Sequence, residues 1–167
     1  MANNVKKKFE LYEPMRLWLE QYLRDKYRGA SVKTIDTHSR ALDTYLEQEC
    51  IISQYPQTVG LDIQIDVLGL VKNKARTELV FIEAKKTQLN LHDLGQLWAY
   101  CKLCDPREAF LLSSVGLGSL NKILNNLGRT DLLGFGPGRQ IKNMQIGRWD
   151  IIRKSIDYNT LIPKGVF

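Results

Sequence analysis

The sequence predicts an α/β domain in which a mixed central sheet is flanked by helices. Two strand-like runs joined by a short basic turn, residues 61–71 and 78–85, form a hairpin. A helix-periodic stretch at 89–103 then leads to a third apolar run at 108–114, the spacing of a crossover to a parallel neighbour. A second helical period at 13–24 supplies cover for the other face.

The elements follow in order. Met15, Trp18, Leu19, Tyr22 and Leu23 recur at helical spacing, with Pro14 where a first turn begins. Residues 29–40 are polar and carry only a weak helix-start signal, and a second helix is expected over 39–47. Cys50, Ile51 and Ile52 form a short strand-like run, and Pro56 and Gly60 bracket a turn. The segment from Leu61 to Asp66 alternates apolar with polar, the period of a half-buried strand, and continues apolar to Val71. Residues 72–77 are polar and basic and read as the hairpin loop. Asn90, with Asp93 three residues on, is the expected N-cap of the helix at 89–103. A helix near 119–126, a Gly/Pro-rich loop at 134–138 and a last strand near 144–152 complete the chain. The expected order is helix, helix, three strands, helix, strand, helix, strand.

Composition bounds the class. The 167 residues are 44% hydrophobic and 25% charged, as in ordinary globular proteins, and one domain covering 1–167 is expected. No stretch has the roughly 18 apolar residues of a membrane span, and no apolar core follows the basic Lys6-Lys7-Lys8 run as in a signal peptide. Cys50, Cys101 and Cys104 are an odd set that makes no disulfide framework, and the lone C-x-x-C at 101–104 lacks the second pair of a zinc site. A cytoplasmic location is the expectation. The net charge of +6 is uneven: residues 116–167 hold eight basic and three acidic side chains, while residues 59–115 hold seven of each. A solvated basic face explains such an excess, and so does a polyanion-binding surface.

Hairpin arithmetic brings two carboxylates together. If 72–77 is the loop, opposed residue numbers add to 149 and Asp66 lies across from Glu83. Directly opposed side chains have Cβ atoms about 4.5–5.5 Å apart. Lys85 shares the face of Glu83, and Asp62 that of Asp66. Two such carboxylates repel unless a cation or proton intervenes, and Mg²⁺ commonly binds through one or two of them while keeping water and phosphate ligands. A neighbouring lysine stabilises charge developing on phosphate. The chemistry indicated is metal-assisted phosphodiester hydrolysis. A solvent-facing cross-strand pair with a surface salt bridge is the alternative. Charged groups ending so apolar a strand weigh against it.

Asp66 after an alternating strand, then Glu83-Ala84-Lys85 ending an apolar one, resembles the active site of the PD-(D/E)XK nuclease superfamily. Gln96 and Tyr100, four apart on the next helix, resemble the Q-x-x-x-Y element of its RecB-like branch. Over residues 61–115 the resemblance implies a restriction-endonuclease-like core with element order αβββαβ. It implies Asp66, Glu83 and the Ala84 carbonyl as metal ligands, Lys85 as the catalytic lysine, and Gln96 and Tyr100 beside the metal. Glu13 or Glu20 on the first helix would supply the extra carboxylate found in some members, and Asp62 competes for that role. Ile65 stands where the family pattern has proline.

The implied activity is that of a Mg²⁺-dependent DNA endonuclease, with Mn²⁺ as a substitute. A junction resolvase, a repair exonuclease or a non-catalytic DNA-binding module are the alternatives, and a homo-dimer or higher homo-oligomer would enlarge the reading surface. Phosphate contacts are expected from Lys72, Lys74 and Arg76 in the hairpin, from Lys86, and from Arg139, Lys142, Arg148, Arg153 and Lys154 in the basic C-terminal part.

Overall fold

The computed structural model describes residues 5–164. A short 3-10 turn at Lys8–Leu11 leads into helix α1 (Tyr12–Lys26), strand β1 (Ser31–Asp36) and helix α2 (Leu42–Gln48). Strands β2 (Val67–Lys72) and β3 (Thr77–Lys85), helix α3 (Leu91–Cys104) and strand β4 (Glu108–Ser113) follow. Then come a short helix, α4 (Ser119–Asn121), that continues as a π-helical turn to Asn126, and the two-residue strands β5 (Gly134–Phe135) and β6 (Lys142–Asn143). Strands β7 (Gln145–Asp150) and β8 (Ser155–Ile162) end the fold.

Six strands form one mixed sheet in the order β1-β2-β3-β4-β7-β8, flanked by helices. β1, β2 and β3 are antiparallel, and β3, β4 and β7 run parallel, so β4 is reached through the α3 crossover as expected. The hairpin has the anticipated register, with Val67 opposite Ile82 and Val71 opposite Glu78.

Several expectations need correction. The first of the three antiparallel strands is Ser31–Asp36, in the polar segment that carries only a weak helix-start signal, and Cys50–Ile52 is not a strand but leads into a 3-10 turn at Ile52–Gln54. Residues 61–66 lie outside β2. Their alternation is real in burial, since Ile63 and Ile65 are in the core, but Asp62 takes φ 52° and the backbone pairs irregularly. Leu42 N–H donates to the Ile63 carbonyl at 2.7 Å, and Thr37 N–H to the Asp66 carbonyl at 3.0 Å. The strand expected at 144–152 ends at Asp150, and β8 follows it as a further edge strand.

Alternation along β3 sorts its side chains. Val80, Ile82 and Ala84 face an apolar layer with Met15, Leu19 and Leu23 of α1. Leu79 and Phe81 face the layer that holds Leu46 of α2 and Leu94, Leu97 and Cys101 of α3. The period of two therefore places Glu83 and Lys85 on the α2/α3 side. Gly69 lets α1 lie close on the sheet, because a Cβ there would stand 2.8 Å from Leu23 Cδ1 and 3.1 Å from Leu19 Cδ2. Among the described residues no helix is long and apolar enough to cross a membrane.

Candidate active site

Parallel pairing gathers the ends of three strands at one end of the sheet. Lys85 of β3 lies beside Ser113 of β4, and Ser113 beside Arg148 of β7, so the C-terminal ends of these strands share one rim. Asp66 enters that rim from the start of β2. Its carboxylate accepts the Ala84 N–H at 2.8 Å, which ties the bend before β2 to the end of β3. In an extended strand the N–H and C=O of one residue point to the same neighbour, so the Ala84 carbonyl opens on the Asp66 side.

Asp66 and Glu83 are both buried, at 7% and 6% exposure. A third group links them. Lys8, on the 3-10 turn before α1, places its Nζ 2.8 Å from Asp66 Oδ2 and 3.5 Å from Glu83 Oε1. Lys85 Nζ stands 3.6 Å from the same Glu83 oxygen and 3.5 Å from Asp93 Oδ1. Asp93 is itself fixed by the capping box of α3, in which Asn90 N–H donates to Asp93 Oδ2 and Asp93 N–H to Asn90 Oδ1. The cap thus sets the start of the helix and also holds the lysine.

The electrostatics follow from burial. Desolvation, then the Asp66 charge, pushes the Glu83 carboxyl up to about 7 against the pull of Lys8 and Lys85. Burial works against the Lys8 ammonium, but the charge and hydrogen bond of Asp66, with Glu83, outweigh it and raise its pKa. Burial, then Asp66, raises the Tyr12 phenol to about 12. Tyr12 stacks on His38 with centroids 4.5 Å apart. Among the described residues Glu83 Oε2 is buried without a hydrogen-bond partner, although most buried carboxylate oxygens are satisfied.

The other expected site residues divide. Gln96 and Tyr100 follow Asp93 by three and seven residues on α3, on one helical face, and Gln96 Nε2 reaches Tyr100 Oη at 3.4 Å. Glu13 pairs with Arg16 at 2.6 Å and Glu20 with Arg24 at 3.5 Å, each on its own helix rather than with the Asp66 pair. Asp62 is exposed in the turn before Ile63. Among the described residues no group of three or more His, Cys, Asp or Glu side chains converges as a metal cluster. Lys8 and the second role of Asp93 escaped the sequence reading. Lys8 is 58 residues from Asp66 in the chain, and no local pattern signals the contact; the Asn90/Asp93 capping box did mark where Asp93 would sit.

The basic residues fall at two ends. Lys86 directly follows β3, and Arg148, Arg153 and Lys154 sit at the end of β7 and in the turn to β8, all on the rim of Glu83. Arg148 lies 3.5 Å from Asp157, and Arg153 3.9 Å from Asp150. Lys72, Lys74 and Arg76 surround the hairpin turn at the opposite end of the sheet, six residues or about 20 Å along β3 from Glu83. Lys142 bonds the Pro106 carbonyl at that far end, and Arg139 lies in the loop just before it.

No protein-family model, curated protein or solved structure matches the chain.

Proposed function

We propose that the chain is a Mg²⁺-dependent deoxyribonuclease of the PD-(D/E)XK type with a restriction-endonuclease-like core. One observation carries the reading: two buried carboxylates, one from the bend before β2 and one from β3, converge, one oxygen of Glu83 lacks a partner, and Lys85 stands two residues on. The order α1, β1, β2, β3, α3, β4 agrees with the αβββαβ core that the resemblance implies, with α2 inserted before β2.

The donor set fits a hard cation. Both side chains offer only oxygen, and Mg²⁺ is commonly held by one or two carboxylates with water and phosphate completing its shell. Asp66 and Glu83 would hold it, with the Ala84 carbonyl opening on the same side, and Mn²⁺ would substitute. Such an ion, when bound, polarises a phosphoryl oxygen and acidifies a water. Lys85 contributes the positive charge that stabilises the transition state's developing negative charge, and Asp93 keeps its ammonium in place. Lys8 offsets the repulsion between the two carboxylates. Gln96 and Tyr100 extend the α3 face that begins with Asp93. Lys86, Arg148, Arg153 and Lys154 are the phosphate contacts on the same rim.

Supercoiled plasmid, linear duplex and a four-way junction, each incubated with the protein in Mg²⁺, Mn²⁺ or chelator, test this. Metal-dependent cleavage of at least one substrate is expected, and the substrate cut best separates endonuclease, exonuclease and resolvase activities. No cleavage of any substrate with either metal would overturn the enzymatic reading and favour a DNA-binding module.

A further inference from the structure

At the end of the sheet remote from Asp66, the last turn of α1, the starts of β3 and β4, and β6 surround a cleft of about 570 Å³. That volume is within the range of small-molecule sites. Two buried polar residues form part of its lining. Glu108 accepts from the Tyr22 hydroxyl at 2.7 Å, Lys26 at 2.9 Å and the Tyr27 hydroxyl at 2.6 Å. Gln145, 2% exposed, donates its amide nitrogen to Glu108 at 3.3 Å. Because the nitrogen is committed to a carboxylate, the other end of the amide is the acceptor, and among the described residues Gln145 Oε1 has no partner.

The walls carry charge on aromatic rings. The Arg76 guanidinium lies 5.2 Å from the Tyr55 centroid, and that of Arg107 lies 5.6 Å from Tyr27. Lys142 also lines the cleft, 2.7 Å from Asp105, and Arg107 stands 3.5 Å from Glu78. A neighbouring cleft of about 480 Å³ shares Tyr27 and Arg107 and adds Arg28 and Lys74, so the two carry six basic side chains against the acidic Glu78, Asp105 and Glu108. A simple anion at Arg76 would leave Gln145 Oε1 unpaired. The cleft calls for one ligand with anionic oxygens, a planar ring and an N–H donor.

We propose that this cleft binds a nucleoside phosphate unit. Its phosphate lies against Arg76, Arg107 and Lys142, its base stacks within the Tyr/Arg walls, and an exocyclic amino group donates to Gln145 Oε1. The unit is either a free nucleotide or one nucleotide of a single strand. The cleft shares no residue with the Asp66 site, so the inference goes beyond the hydrolytic reading. At about 3.4 Å per nucleotide, a strand spanning both sites covers about six nucleotides.

Isotope-labelled full-length protein in chelator, titrated by NMR with adenosine monophosphate, inorganic phosphate and a nine-nucleotide oligodeoxyadenylate, tests it. Adenosine monophosphate is expected to shift the Gln145 side-chain amide together with the Arg76 and Arg107 side chains, whereas phosphate shifts only the arginines. The double variant Arg76→Ala, Arg107→Ala, both at exposed positions, is expected to weaken nucleotide binding at least tenfold with its spectrum otherwise native. Tighter binding of the oligonucleotide at the same resonances identifies a strand as the ligand, and equal or weaker binding identifies a free nucleotide. A Gln145 amide that stays still, or equal responses to phosphate and nucleotide, would overturn the proposal.

Discussion

Lys85→Ala is expected to lower the single-turnover cleavage rate by about 10²–10³-fold, the usual cost of removing a group that stabilises transition-state charge. DNA affinity, measured by fluorescence anisotropy, is expected to stay essentially unchanged, because the cations proposed to contact phosphate on the rim are other residues. The physical reason is local. Lys85 is held by Glu83 and Asp93, and both stay anchored without it, Glu83 on β3 and Asp93 by its capping box with Asn90. Lys85→Arg keeps the charge but not the compact ammonium, and is expected to recover little of the rate. Undiminished cleavage by Lys85→Ala would place the hydrolytic site elsewhere.

Glu83→Gln is expected to abolish cleavage and yet stabilise the metal-free protein above neutral pH. Glu83 has a folded pKa raised from the ordinary 4.5 to about 7, by burial first and by Asp66 second. The folded state therefore holds a proton that the unfolded state has already released between those two values. Wild-type stability falls as pH rises through that window, and the whole loss is present above pH 7. The shift corresponds to on the order of 3 kcal/mol, which the neutral glutamine does not lose. Urea unfolding of both proteins in chelator at pH 5 and pH 8 reads the difference directly. Parallel pH dependence in the two proteins would show that Glu83 is not held at a cost. A residue that destabilises its own fold is expected where function, not packing, sets its identity.

The hairpin was the most legible part of the molecule because its loop is sharply polar and its strands are apolar. Once the loop was bounded, register arithmetic paired β2 with β3 correctly and put Asp66 and Glu83 at one end. The Asn90/Asp93 cap was legible for the same reason, since its chemistry is local in sequence. Of the missed strands, the two-residue β5 and β6 lie in and after the expected Gly/Pro-rich loop, and the two in the six-stranded sheet, β1 and β8, are its edges. Each is bonded on one side only and carries exposed polar residues such as Lys33 and Asn159, so neither shows the apolar run of an interior strand. Residues 61–66 misled in the opposite sense. Their alternation records the burial of Ile63 and Ile65, but hydrogen bonds to Thr37 and Leu42 draw the backbone off the β2 ladder. The basic residues were legible as a composition, not as a place. Parallel pairing of β3, β4 and β7 sends Arg148, Arg153 and Lys154 to the rim of Glu83, whereas the hairpin lysines lie at the other end.

The proposed hydrolysis requires Asp66 and Glu83 to hold one divalent cation together. Electron paramagnetic resonance of Mn²⁺ titrated into the wild-type protein and into Asp66→Asn measures this without relying on cleavage. The wild type is expected to remove one equivalent from the free Mn²⁺ signal with Mg²⁺ competing for it, while Asp66→Asn binds at least tenfold more weakly. Equal Mn²⁺ binding by the two proteins, or none by the wild type, would contradict it.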